Sequence, residues 1–165
     1  MAGHSPEKGE YAGGMKVKAN ALGLSGYRLP AEAEWELACR AGSVTRWSMG
    51  EAEDLLGKYA WYIANSPSRS RPAGLLRPND LGLFDLHGNA LEWCQNRYEE
   101  FTDMRDRNID DKVDNKSGRA IRESYRALRG GAYHDYPWNV RSAFRAISGP
   151  EICNYFGFRP ARTFP

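Results

Sequence analysis

Apolar positions along this chain fall in short blocks separated by glycine, proline and asparagine, a pattern that predicts many small elements rather than a few long ones. Met1 to Gly14 is polar and glycine-bearing and reads as a loose lead-in, with one domain expected over residues 15–165. Met15 to Leu24 is weakly amphipathic and is closed by Gly26. Pro30 biases Leu29 towards an extended conformation and so separates a short extended piece, Tyr27 to Leu29, from the segment after it. Ala31 to Ala41 (AEAEWELACRA) concentrates helix formers, places its glutamates early where they favour the helix dipole, and stops at Gly42, which predicts a helix. From Gly50 to Gly88 the chain is turn-rich, with short apolar pieces such as Tyr59 to Tyr62. Strands are predicted at Ala90–Tyr98, Tyr125–Leu128, Val140–Ala146 and Gly157–Arg162. Few helices and many short strands imply an α+β domain.

Composition narrows the function classes. The chain has 165 residues, 41% apolar and 12% aromatic, enough for one domain with a real core. Its 23 basic and 21 acidic residues leave a formal charge of +2 with no basic stripe, so nucleic acid is not an expected partner. No apolar run approaches membrane-spanning length, and no apolar leader opens the chain, so a cytoplasmic location is expected. Cys39, Cys94 and Cys153 are odd in number and lack CxxC or Cys/His spacing, which predicts reduced thiols, at least two of them packed as small hydrophobes. The aspartate-rich stretch Thr102 to Ser117 lacks the glycine and terminal glutamate of an EF-hand loop and reads as a solvated loop.

Four pieces in order, GYRLPAEAEWELACRAG, NDLGLFDLHGNALEWCQ, YRALRGGAY and VRSAFR with FGFRPAR, resemble the formylglycine-generating-enzyme (sulfatase-modifying factor) family. They span Gly26 to Arg162, the later two-thirds or so of such a domain. The resemblance implies a C-type lectin-like fold of the formylglycine-generating-enzyme type: a small twisted antiparallel sheet, about two helices and long loops. One departure is local. The family usually has threonine where this chain has Ala31, so the hydroxyl half of a capping box with Glu34 is missing, at a cost of roughly 1 kcal/mol.

Members that oxidise a substrate cysteine to formylglycine use two cysteines after the Gly-Gly pair, and thiolates suit copper(I). Here the segment after Gly130-Gly131 has Asp135 about where the first of those cysteines falls and has no thiol, so no copper is expected. Cys153 lies downstream without a partner of matching spacing. A second branch resembles iron-dependent sulfoxide synthases with histidine ligands. This chain has only His4, His87 and His134, with His4 in the lead-in and His87 in a turn, which argues against an iron triad. Catalysis is therefore not expected; an oxidase or other family enzyme is the first rival reading, and an accessory domain of a larger protein is the second.

His134 to Phe156 interleaves aromatics with small polar residues between the framework pieces RGG, VRSA and GFR, a composition used by paratopes. The layout resembles the variable region of proteins diversified by retroelements, in which randomised adenines turn asparagine codons into many residue types. His134, Asp135, Tyr136, Phe144, Ala146, Ile147, Ser148, Ile152, Cys153, Asn154, Tyr155 and Phe156 all belong to the accessible set, whereas Trp138 and Glu151 need another template codon or a fixed position. These residues, with Trp138 and without Glu151, are the candidate ligand-binding set, and a protein or other macromolecule is the expected ligand of a monomeric domain. Tyr136, Trp138, Tyr155 and Phe156 are expected to be exposed. Tyr133 and Phe158, inside framework motifs, are expected in the core.

The resemblance also implies a structural calcium ion on Asp85, Gly88, Ala90 and Glu92, two carboxylates and two backbone carbonyls. The competing reading has Asp85 capping a turn and Glu92 paired with a framework arginine such as Arg141. Arg129, Arg141, Arg145 and Arg159 recur beside the strands and read as scaffold cations that pack their stems and pair their heads with acids.

Overall fold

The structure is a computed structural model that describes residues 25–66, 68–97, 125–149 and 153–163. The lead-in, the Met15–Leu24 stretch, the Thr102–Ser117 loop and Ile152 lie outside the described residues.

The predicted helix forms as α1, Glu32–Arg40, and buries Trp35 and Cys39 one turn apart on a single face. Its start shows the anticipated half cap. The Glu34 side chain accepts from the Ala31 backbone N–H at 2.8 Å, while Ala31 offers no side-chain acceptor in return. Arg28 grips the same carboxylate with two bonds of 2.6 and 2.7 Å and holds it well below the usual carboxylate range. Arg28 belongs to β1 (Gly26–Arg28), which pairs antiparallel with β8 (Ala161–Thr163) and closes the domain where the described chain begins and ends.

The main sheet has four strands in the order β6 (Arg145–Ser148), β5 (Arg126–Arg129), β4 (Leu91–Arg97) and β7 (Phe156–Phe158). The β6–β5 and β5–β4 ladders are antiparallel, as expected of the fold. β4 and β7 run parallel, with Leu91 opposite Phe156 and Trp93 opposite Phe158. Two further short strands, β2 (Ala60–Trp61) and β3 (His87–Gly88), pair parallel within the loop region.

Strand alternation gives the sheet two unlike faces. Cys94 and Ala127 point to α1 and join Trp35, Cys39 and Leu86 in one core cluster. Leu91 and Leu128 point the other way and gather Ala132, with Trp93, Phe144, Ala146, Tyr155 and Phe156 half-buried around them. A third cluster, Trp47, Leu56, Ala60 and Val140, fixes the turn-rich segment against the loop that precedes β6.

Two strand expectations are corrected. Val140–Ala146 alternates in sequence, but β6 begins only at Arg145. Before it, Pro137–Asn139 forms a 3-10 turn and the Phe144 N–H folds back onto the Arg141 carbonyl. The expected Gly157–Arg162 strand is split at Arg159-Pro160 into β7 and β8, because a proline has no N–H to continue a ladder.

Candidate ligand-binding face

The loop from Gly130 to Phe144 is held from several directions. Gly88 N–H donates to the Gly130 carbonyl at 2.7 Å, Tyr133 N–H to the Asn89 carbonyl at 3.0 Å, Ile63 N–H to the Asp135 carbonyl at 3.0 Å, and Ser142 N–H to the Arg46 carbonyl at 2.9 Å. Gly131 has φ +76, and a Cβ there would lie 2.6 Å from the Asn139 carbonyl oxygen, so glycine is required where the loop crosses itself. Asp135 accepts the Ala132 N–H at 2.8 Å through Oδ2, and Asn139 approaches Oδ1 at 3.4 Å. The aspartate is a brace for its own loop rather than a displayed side chain.

His87 is the least anticipated member of this frame. It is buried in β3, with Nδ1 donating to the Val140 carbonyl at 2.8 Å and Nε2 accepting from the Ser48 N–H at 3.1 Å and the Ser48 hydroxyl at 3.0 Å. Val140 offers only an acceptor, which sets the tautomer. Burial drives the imidazole pKa down to about 4. The only sequence signal was the HGN turn after an apolar residue, which says nothing about the partner carbonyl 53 residues away.

On this frame stand Tyr136 and Trp138, 52% and 57% exposed, their rings nearly parallel at a centroid distance of 4.6 Å. The Arg141 guanidinium donates to the Trp138 carbonyl and lies over the Phe144 ring at 5.7 Å. Phe144 and Ala146 pack into the outer face of the sheet with Tyr155 and Phe156. Edge-to-face contacts of 4.8 to 5.3 Å then link Tyr133 to His134, His134 to Tyr155, Tyr155 to Phe156 and Phe156 to Trp93. Most of the candidate set is thus continuous, but its members differ in exposure. Tyr136, Trp138 and Asn154 are open, whereas His134, Phe144, Ala146, Cys153, Tyr155 and Phe156 are half-buried.

Several expectations change at this point. Tyr155 and Phe156 are part of the packed outer face rather than free loop residues, since the parallel β4–β7 pairing draws them onto Leu91 and Trp93. Ser148 is buried, and Ile147 is 41% exposed but follows the strand alternation to the α1 side of the sheet, opposite Ala146. Tyr133 is buried as expected. Phe158 is not: at 71% exposed it ends an edge strand just before the Arg159-Pro160 bend.

Arg129, Arg145 and Arg159 pair with acids as scaffold cations. Arg129 is fully buried between the Glu36 carboxylate, the Phe144 carbonyl at its Nη1 and the Trp35 ring at 5.4 Å. Arg145 grips Glu32 with two nitrogens, one of them at 2.8 Å. Arg159, not Arg141, pairs with Glu92, through bonds of 2.7 and 2.9 Å, and the Trp35 indole N–H donates to the same carboxylate at 2.6 Å.

Those bonds bear on calcium. Both Glu92 oxygens are committed to Arg159 and Trp35, and Asp85 commits Oδ2 to the Gly74 N–H at 2.7 Å. The Gly88 carbonyl already accepts the Ala90 N–H at 2.9 Å. Asp85 Oδ1 is buried without a partner, but one unmatched oxygen does not serve an ion that takes about six to eight. Among the described residues no three acidic, histidine or cysteine side chains come together as a metal set. Asp85, Gly88, Ala90 and Glu92 as arranged here do not fit a calcium ion.

Cys39 and Cys94 are buried free thiols that burial pushes up to about 12, and Cys153 is half-buried and unpaired. No helix among the described residues is long and apolar enough to cross a membrane.

An α+β domain with paired ends, a small mixed sheet and function-sized loops braced above it is a C-type lectin-like fold of the formylglycine-generating type. The chain belongs to the sulfatase-modifying factor enzyme 1-like domain family, whose model matches residues 9–164. It is 34% identical over 140 residues to the serine/threonine-protein kinase Pkn1 of Chlamydia trachomatis, covering 83% of this chain and 21% of the kinase. It is 31% identical over 153 residues to the formylglycine-generating enzyme of Streptomyces coelicolor, covering 83% of this chain and 47% of the enzyme. Among solved structures it is similar to Treponema denticola variable protein 1, with a TM-score of 0.74 and 35% identity over 84% of this chain and 48% of that one. The chain spans about a fifth of the length of the kinases and about half that of the enzyme and the variable protein.

Proposed function

We propose that this domain is a non-catalytic binding module that presents a retroelement-diversified surface, built from the loops between Ala132 and Phe156, to a macromolecular ligand. The observation that carries the reading is the stacked Tyr136–Trp138 pair, more than half exposed on a loop whose backbone is tied to three other segments. Rigid aromatics on a fixed frame bury much area on binding with little loss of side-chain freedom. His134, Phe144, Tyr155 and Phe156 extend the surface from the packed side, and the similarity to a variable protein supports its diversified character.

The cysteines support a binding role over an oxidase role. Nucleophilic and metal-binding chemistry needs thiolates. Cys39 and Cys94 are buried where the thiolate is strongly disfavoured, and the segment from Gly131 to Phe144 has no cysteine at all. Copper(I) and a cysteine-bearing peptide should therefore give no aldehyde product by mass spectrometry; conversion of the peptide cysteine would restore the enzyme reading. Replacing Tyr136 and Trp138 together by alanine should leave the melting temperature within about a degree or two, whereas replacing Tyr155 and Phe156 should cost about 3 kcal/mol or more. A collapse on losing the first pair would place it in the core and remove the binding surface. The diversified part is tested in the genome: a reverse transcriptase gene nearby and a near-copy of the last coding segment differing at adenines are expected, and their joint absence would leave an undiversified binder.

A further inference from the structure

The charge around the stacked aromatic pair is one-sided. The segment 130–149 contains a single carboxylate, Asp135, and that group is turned onto the Ala132 and Asn139 nitrogens of its own loop. The neighbouring segment 60–79 contains no carboxylate and three arginines. Hydrogen bonds join the two segments: Ile63 N–H to the Asp135 carbonyl, and Asn89, which accepts Tyr133 N–H on its carbonyl and Arg71 N–H on its side chain at 2.8 Å.

Four guanidiniums of these two segments, on Arg69, Arg71, Arg77 and Arg141, have no carboxylate partner among the described residues. Arg69 is exposed. Arg71 lies over the Trp61 ring at 5.5 Å with Nε on the Ser66 hydroxyl at 2.9 Å, and Arg141 caps the Trp138 carbonyl. Other described arginines are held by carboxylates: Arg28 by Glu34, Arg40 by Glu36, Arg46 by Glu51, Arg145 by Glu32 and Arg159 by Glu92. The two joined segments are thus cationic although the formal charge of the chain is only +2.

The geometry points to an acidic peptide segment, carried by a partner protein, as the ligand of this face: an apolar or aromatic side chain against Tyr136 and Trp138, with Asp or Glu reaching Arg69, Arg71 and Arg141. This rests on the binding reading above. Tryptophan, tyrosine and arginine are the residue types that anchor protein interfaces, and flanking charges of one sign select the partner and steer its approach. A nucleic acid is the less favoured polyanion, because it needs cations tracked along a groove with open aromatic platforms for successive bases. Here the two exposed rings of the loop already stack on each other.

The test is a phage-displayed random dodecapeptide library panned on the whole chain, with the enriched peptides synthesised and their affinity measured by fluorescence polarisation. Enriched peptides should be rich in Asp and Glu beside an aromatic or proline. Their binding should fall about tenfold or more in Trp138→Ala, a hot-spot-sized loss. It should also fall in Arg69→Glu, an exposed position outside the frame of the loop, with the larger loss at low salt. Neutral or basic peptides that still need Trp138 would overturn the acidic assignment and leave the binding reading standing. Peptides indifferent to Trp138→Ala, or no enrichment at all, would overturn both. Displacement of the peptide by a fifteen-residue oligothymidylate at comparable concentration would replace the peptide by single-stranded nucleic acid.

Discussion

His87 shows how one side chain couples the frame of the candidate face to the rest of the protein. Its ring joins Ser48 to the Val140 carbonyl, so the loop below Trp138 is fixed to the segment after α1. The ring is held neutral, with its pKa lowered from 6.5 to about 4 by burial. Between those values the unfolded chain takes up a proton at His87 that the folded chain refuses. Stability from this group is therefore complete above about pH 6.5 and is lost as the pH falls towards 4, by something on the order of 3 kcal/mol. Urea midpoints from about pH 7.5 to 4 should show this decline, and His87→Asn, which can still donate to Val140 but does not titrate, should flatten it. An equally steep decline in the variant would assign it to other groups.

At the scale of elements, the helix was legible from sequence because its information is local: a run of helix formers, glutamates early, and a stop at Gly42, just past the left-handed Ala41 that the structure places at its end. The missing cap is equally local. Glu34 already bonds the Ala31 N–H, so Ala31→Thr completes the reciprocal pair and should raise stability by about 0.5 to 1 kcal/mol in thermal unfolding. A fall would mean that the cap site cannot accommodate the extra atoms. The strands were less legible for a matching reason. Val140 to Ala146 alternates like a strand, yet its backbone bonds are taken by His87 and Arg46, which sequence places 53 and about a hundred residues away. Likewise Glu92 could be seen to need an arginine, but which arginine depends on the parallel β4–β7 register that brings Arg159 alongside. The same register took Tyr155 and Phe156 out of the open loop, where composition alone had placed them.

At the scale of the whole molecule, the Glu92 carboxylate of the calcium reading is already paired within the chain. Glu92 is neutralised by Arg159, so millimolar calcium followed by excess EGTA should leave the melting temperature unchanged; a rise of several degrees with calcium would show that Asp85 and Glu92 release their protein partners for the ion. Arg129 makes the larger commitment. It is fully buried where α1, the sheet and the end of the Gly130–Phe144 loop meet, holding Glu36, the Phe144 carbonyl and the Trp35 ring at once. Arg129→Ala would strand these groups, and removing one member of a buried pair commonly costs about 3–5 kcal/mol. Because Glu36 is about a third exposed and regains water, roughly 3 kcal/mol is the expected loss in urea unfolding. Arg129→Lys keeps the charge but not the planar fork, so it can serve Glu36 or Phe144 but not both, and it should recover only part of that loss. Full recovery by lysine would mean that charge alone matters there. Partial recovery, accompanied by faster amide exchange in the residues around Phe144, would mean that the fork itself ties the Gly130–Phe144 loop to the helix on the far side of the sheet.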